Sequence, residues 1–135
     1  MTDRVAKAAE LHKKGYNCAQ AVACAYCDLV NSDEKEVFRL MEGFGLGMGD
    51  MACTCGAVSG MVAIAGLKNS DAELEAPKTK GSTYKQAKVL TKKFRDMNGS
   101  VICADLKGVE TGQPLRSCPG CIEDACKILE EYLAE

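Results

Sequence analysis

The 135-residue sequence predicts an all-α fold: a compact bundle of five or six helices with a central apolar helix. Three observations carry that expectation. Apolar residues recur at steps of three and four along most of the chain. Capping residues and glycine stops divide that pattern into segments of ordinary helix length. No segment alternates in the manner of a convincing strand, although very short strands would fit the gaps. At this length a single cysteine-rich domain, residues 1–135, is expected to bury a real core.

Val5, Ala8, Ala9, Leu11 and His12 mark a first helix that ends near Gly15. Asn17 caps the second, with Gln20 at the capping-box position, and Ala19, Val22, Ala23 and Tyr26 carry it to about Val30. Ser32 or Asp33 caps the third, whose apolar face is Val37, Leu40 and Met41. A glycine-rich loop runs from Gly43 to Gly49. Asp50 then opens a fourth helix to about Leu67, apolar nearly all round, as a central buried helix should be. Its small residues Ala52, Gly56, Ala57, Ser59, Gly60 and Ala63 permit close neighbours. Asn69 to Gly81 reads as a mobile polar loop containing Pro77. Tyr84, Ala87, Leu90, Phe94 and Met97 define a long helix from about Thr83 to Met97, stopped by Asn98-Gly99. A short helical turn follows at Cys103–Leu106, then a Gly/Pro loop from Gly108 to Pro114. The last helix starts at Cys118-Pro119 and runs to about Leu133.

Composition excludes several classes of function. A net charge of −2 gives no basis for nucleic-acid or anionic-membrane binding. The longest apolar run, Ala57 to Leu67, is interrupted by Ser59, Gly60 and Gly66 and is shorter than the ~20 residues a bilayer span takes. The first ten residues are charged and carry no apolar signal segment. A cytoplasmic protein without membrane insertion is the expectation. In that reducing compartment nine cysteines read as metal ligands or redox thiols rather than structural disulfides, and an odd count argues against a closed disulfide framework. The single histidine, His12, excludes a zinc finger with two histidine ligands.

The cysteines fall into two groups. Cys18 follows the cap Asn17. Cys53 and Cys55 sit in the first turn or so of the fourth helix. Cys103 opens the short turn, and Cys118 is an N-cap candidate. Helix N-termini offer free N–H donors and partial positive charge, which favour the thiolate that binds metal or attacks disulfides. Cys18, Cys55, Cys103 and Cys118 are therefore the preferred chemical set. Cys24, Cys27 and Cys126 lie among apolar neighbours and read as small core residues. Cys118-Pro-Gly-Cys121 is a C-x-x-C at a helix start, a spacing shared by dithiol redox sites and metal sites. A thioredoxin fold is not indicated, because no βαβ signal is present.

The segments Asn17-Cys18-Ala-Gln-Ala-Val22, the glycine loop, Cys55-Gly-Ala-Val-Ser-Gly60, Cys103-Ala-Asp-Leu106 and Cys118-Pro-Gly-Cys-Ile-Glu-Asp-Ala125 follow one another in order. In this the chain resembles the small bacterial and archaeal redox-active proteins of the C_GCAxxG_C_C type, named for four characteristic cysteines and a CGAxxG motif. The resemblance runs from about Asn17 to Leu133. It implies that the four family cysteines are Cys18, Cys55, Cys103 and Cys118. It also implies a redox partner of unknown identity and a functional link to a membrane transporter, since members are reported near transporter genes. A similar cysteine domain occurs in split-Soret cytochromes beside covalent haem and an iron–sulfur centre. Haem attachment needs C-x-x-C-H, and His12 follows no cysteine pair, so only the iron–sulfur part carries over. The chain departs from the family pattern in its extra Cys24, Cys27, Cys53, Cys121 and Cys126. Cys53 could replace Cys55, and Cys121 could replace Cys118.

A phosphate-binding role for Gly43–Gly49 is the weakest reading, because the loop follows a helix and no Gly-Lys-Ser/Thr follows it. Two readings remain open: a set of amides wrapping the thiolate cage of the Cys53/Cys55 site, or a tight connection into the core. His12 reads as a core or boundary histidine, not a ligand. The methionines Met41, Met48, Met51 and Met61 read as core filling, and Asp50 and Asp105 as caps. The basic run Lys85 to Arg95 reads as a solvated face that would suit an acidic redox partner. A homodimer with the site near its interface is compatible with the apolar fourth helix. No Ser-His-Asp or paired-carboxylate constellation stands out.

Three functions follow as expectations. The first is an iron–sulfur cluster on Cys18, Cys55, Cys103 and Cys118, with Cys53 and Cys121 as substitutes, serving electron transfer or sensing. The second is metal-free thiol–disulfide exchange, with Cys118 attacking and Cys121 resolving, or Cys55 pairing with Cys18 or Cys103. The third is a structural four-cysteine zinc site in a binding module.

Overall fold

The computed structural model describes residues 3–135. Seven helices appear in chain order: α1 (Asp3–Lys14), α2 (Cys18–Tyr26), α3 (Glu34–Met41), α4 (Gly56–Asn69), α5 (Lys80–Asn98), α6 (Cys103–Lys107) and α7 (Cys118–Ala134). The all-α expectation holds, with one helix more than six. Among the described residues the extended pairing is limited to one antiparallel bridge, Thr54 with Ile102. Single 3-10 turns at Cys27–Val30 and Glu42–Phe44 close α2 and α3.

The core forms around α4, which packs on α2, α5 and α7. Every residue of α2 from Ala19 to Tyr26 is buried. Val58, Met61 and Ile64 of α4 meet that helix together with Leu90 and Phe94 of α5 and Ile122, Ala125 and Leu129 of α7. Full burial of each such aliphatic or aromatic side chain stabilises the fold by about 1.5–3 kcal/mol. A close backbone approach is at Gly60, where a Cβ would lie 2.6 Å from the Ala19 carbonyl oxygen and 3.2 Å from Val22 Cβ. Helices α2 and α4 come this close because their contact face is made of small residues. The result sets the N-termini of both helices side by side.

The reciprocal cap on α2 is present. The Gln20 N–H donates to Asn17 Oδ1 at 2.8 Å, and the Asn17 N–H donates to Gln20 Oε1 at 2.9 Å. Asp33, not Ser32, caps α3, through the Glu36 N–H. Ser117, not Cys118, caps α7, which moves Cys118 to the first helical position and Pro119 to the second.

Other boundaries differ from the sequence pattern for stated reasons. The fourth helix begins at Gly56, not Asp50. Met51 has φ +69°, Thr54 pairs with Ile102, and Asp50 accepts a bond from the Ala52 N–H at 3.0 Å, so this segment is pinned out of a helix. Helix α2 tightens into a 3-10 turn after Tyr26 and stops at Asn31, whose φ is +57°. Helix α5 starts at Lys80 and takes in the end of the expected polar loop. Leu40, Met48, Tyr84 and Met97, expected on apolar faces, are exposed, while Met41 and Met61 are buried as expected. Asp105 does not cap α6 but accepts a bond from Ser100 Oγ at 2.8 Å. Among the described residues no helix is long and apolar enough to cross a membrane.

Candidate functional site

Five cysteine side chains line one cavity of about 170 Å³: Cys18, Cys55, Cys103, Cys118 and Cys121. Four of them stand at helix starts. Cys18 is the first residue of α2 after its capped Asn17. Cys55 is the N-cap of α4, and its carbonyl accepts bonds from the Val58 and Ser59 N–H groups. Cys103 opens α6, with its N–H donating to the Cys53 carbonyl at 2.9 Å. Cys118 opens α7 behind the Ser117 cap. Cys121, one turn into α7, is fully buried. The cap chemistry of the sequence thus places the thiols, and the α2–α4 contact brings the helix starts together.

The wall of this chamber is the glycine segment, which turns left-handed. Leu46, Gly47, Met48 and Gly49 have φ of +55°, +55°, +65° and +88°. For Leu46 and Met48 that conformation costs about 1–2 kcal/mol each. It is held by the Gly49 N–H on the Gly45 carbonyl, the Met51 N–H on the Leu46 carbonyl and the Cys53 N–H on the Gly47 carbonyl. Leu46 lines the cavity, and its backbone amide acts to favour the Cys18 thiolate. At Gly47 a Cβ would meet Cys103 Cβ at 2.5 Å, and at Gly56 one would meet Cys18 Sγ at 2.4 Å. The segment therefore serves both as a tight connection and as a source of amides. The segment packs against the Cys103 side chain at Gly47 and is bonded to the backbone of Cys53.

The thiols of Cys18, Cys55 and Cys121 act on one another's titration. The Cys18 thiol is pushed far up, first by its contact with Cys55 and then by burial, against the opposing Leu46 and Ala19 amides. Cys55 is pushed up to about 12, first by Cys121, with burial adding to it and the bond from Cys18 opposing. Burial also raises Cys103, against the field of Lys107. Crowding and burial thus outweigh the helix N-termini, which on their own would favour thiolate. Cys118 has another setting. It is half-buried, and Lys107 Nζ donates to its Sγ at 3.1 Å.

The family model described as "Putative redox-active protein (C_GCAxxG_C_C)" matches residues 16–132. The chain belongs to this family. No curated protein and no solved structure matches it.

In this C_GCAxxG_C_C protein the four cysteines selected by helix-end reasoning lie together, and Cys121 joins them. Cys53 does not. It is exposed in the bend before α4, outside the cavity lining, because the fourth helix starts later than the sequence pattern indicates. Cys24, Cys27 and Cys126 are buried in the core. All nine cysteines are free thiols. Among the described residues no group of three or more His, Cys, Asp or Glu side chains is arranged to hold a metal ion.

The three basic side chains of the cavity were not singled out as site residues in the sequence. His12, read there as a core or boundary side chain, is half-buried and lines the chamber. Arg116 lines it too, but its guanidinium is bound by the buried Asp124 carboxylate at 3.0 and 3.2 Å. Lys107 is the third. A signal for it exists: Cys103 and Lys107 are four apart on one helix and share a face.

Proposed function

We propose that this C_GCAxxG_C_C protein is a redox protein whose sulfur-lined chamber binds an iron–sulfur cluster for electron transfer or sensing. The observation that carries the reading is the presence of five cysteine side chains around one cavity. Thiolate is the donor such clusters take. A single zinc ion needs four ligands converging at about 2.3 Å from one point. Five thiols around one space are more donors than a single ion of that kind takes. Cys18, Cys55, Cys103 and Cys118 would hold it, with Cys121 as the nearest substitute. A bound cluster supplies one-electron chemistry. The chain supplies a hydrogen bond from Lys107 to the Cys118 sulfur, and the Leu46 and Ala19 amides favour thiolate at Cys18. Loading also deprotonates thiols that burial holds neutral, so it is favoured at higher pH.

The test is iron, sulfide and visible absorption on protein purified without oxygen. Wild type is expected to carry iron and sulfide with a brown charge-transfer band, and Cys55→Ser to lose most of the colour. Stoichiometric zinc without sulfide, or an unchanged spectrum in Cys55→Ser, would overturn the assignment.

A second reading has its own observation. Cys118 is half-buried beside Lys107 at the start of α7, and Cys121 is buried against Cys55. In metal-free exchange, Cys118 would attack a partner disulfide to give a mixed disulfide, and Cys121 would displace the partner thiol. Two electrons pass to the partner, which leaves as two thiols. Loss of two thiols per chain on oxidation of iron-free protein would favour this reading.

A further inference from the structure

We infer that Lys107 is a positioning residue that raises the electron affinity of the chamber through its hydrogen bond to the Cys118 sulfur. The inference rests on the cluster reading above and adds to it the residue that tunes the site.

The chamber lining carries five thiols and no carboxylate. Its cationic side chains are not equivalent. Arg116 is compensated by Asp124, and a long contact at 4.0 Å joins it to Glu123. Lys107 takes part in none of the carboxylate ion pairs found among the described residues. Its polar contact is the 3.1 Å bond to Cys118 Sγ. The ammonium also acts on Cys103 and Cys18, so its charge falls on three of the four expected ligands.

The geometry behind this is local. Helix α6 is five residues long and places Cys103 and Lys107 on one face. Gly108, with φ +70°, then turns the chain away, and a Cβ there would lie 2.5 Å from the Gln113 carbonyl carbon. The Leu115 N–H donates to the Leu106 carbonyl at 2.9 Å and draws the segment before α7 back against α6. Lys107 and Cys118 therefore meet by backbone construction rather than by a chance surface contact.

A charged donor on a ligating sulfur stabilises the reduced, more negative state of a thiolate-ligated centre. Hydrogen bonds to sulfur and local net charge are established controls of such potentials. Charge-assisted bonds are about twice as strong as neutral ones. An amide or a neutral side chain at this position would do less.

The experiment is a redox titration, followed by visible absorption, of protein loaded anaerobically with ferrous iron and sulfide. Wild type, Lys107→Met, Lys107→Arg and Lys85→Met are compared at equal iron content. Lys85 is exposed on α5, does not line the chamber and controls for loss of a charge anywhere. Lys107→Met is expected to shift to a more negative midpoint. Lys107→Arg is expected to restore most of the shift, and Lys85→Met to titrate with wild type. A Lys107→Met protein that binds iron and titrates at the wild-type midpoint overturns the inference, and so does an equal shift in Lys85→Met. Wild type that takes up no iron and sulfide overturns the cluster reading itself, and the inference with it.

Discussion

Cys24 and Cys126 are pushed up to about 12 by burial, from an ordinary thiol value of 9.0. Tyr16 is also pushed up to about 12, first by the 2.7 Å bond its hydroxyl donates to Glu34. All three groups hold their protons more tightly in the folded chain. At pH 7, well below the ordinary thiol value of 9.0, both states are protonated at these positions, and they add little pH dependence. Above pH 9 for the thiols, and above pH 10 for the phenol, the unfolded chain loses protons first, so stability falls until the folded groups titrate near pH 12. Urea unfolding of reduced, iron-free protein should show a midpoint that is nearly flat around pH 7, begins to fall as the pH approaches 9 and declines steeply beyond it. Tyr16→Phe should lose about 1 kcal/mol at pH 8 through the missing hydrogen bond and show a shallower decline above pH 10. A midpoint that stays constant to pH 11 would contradict both statements. These residues also mark what was legible one by one. Apolar neighbours were enough to assign Cys24, Cys27 and Cys126 to the core. The exposure of Cys53 was not legible, since it depends on a backbone path and not on its neighbours in sequence.

The same limit acts on whole elements. The pattern from Met51 to Leu67 is continuously apolar or small, so nothing local separates the bend from α4. The separation comes from elsewhere in the chain: the Cys103 N–H on the Cys53 carbonyl, the Ala104 N–H on the Met51 carbonyl and the Cys55 N–H on the Val101 carbonyl. By contrast the start of α2 was legible to the residue, because its capping box is a local device. Glycines in α4 show how position alone divides one residue type. Gly60 faces the Ala19 carbonyl at van der Waals limit, and Gly66 faces open space. Gly60→Ala should cost about 1–3 kcal/mol by forcing α2 and α4 apart. Gly66→Ala should stabilise by up to about 1 kcal/mol through helix propensity. Thermal unfolding of the two variants checks this. Equal effects of one sign would mean that the helix contact is looser than described.

At the scale of the molecule the chamber is built by convergence. Its lining comes from the end of α1, the starts of α2, α4 and α7, the left-handed turn, and one face of α6. Helix-end chemistry made the four cysteines legible as a set. Their meeting with Cys121, His12, Lys107 and Arg116 was not, because it depends on how α2 and α4 stack. The element least able to hold itself is α6. Five residues are far below the length at which a helix persists alone. Its order depends on buried Cys103 and Leu106 and on bonds to the bend before α4 and to Leu115. Anything bound by Cys103 together with Cys18, Cys55 and Cys118 therefore ties α6 to three longer helices at once. Binding to the folded state alone raises stability by mass action. Iron and sulfide loading should raise the thermal midpoint, and it should slow amide exchange at Cys103–Lys107 by a larger factor than at the middle of α4. In Cys103→Ser the local slowing should vanish even where iron is retained through Cys121. Equal exchange at α6 in loaded and iron-free wild type would show that Cys103 does not engage the bound centre, and that the four-cysteine set must be redrawn around Cys121.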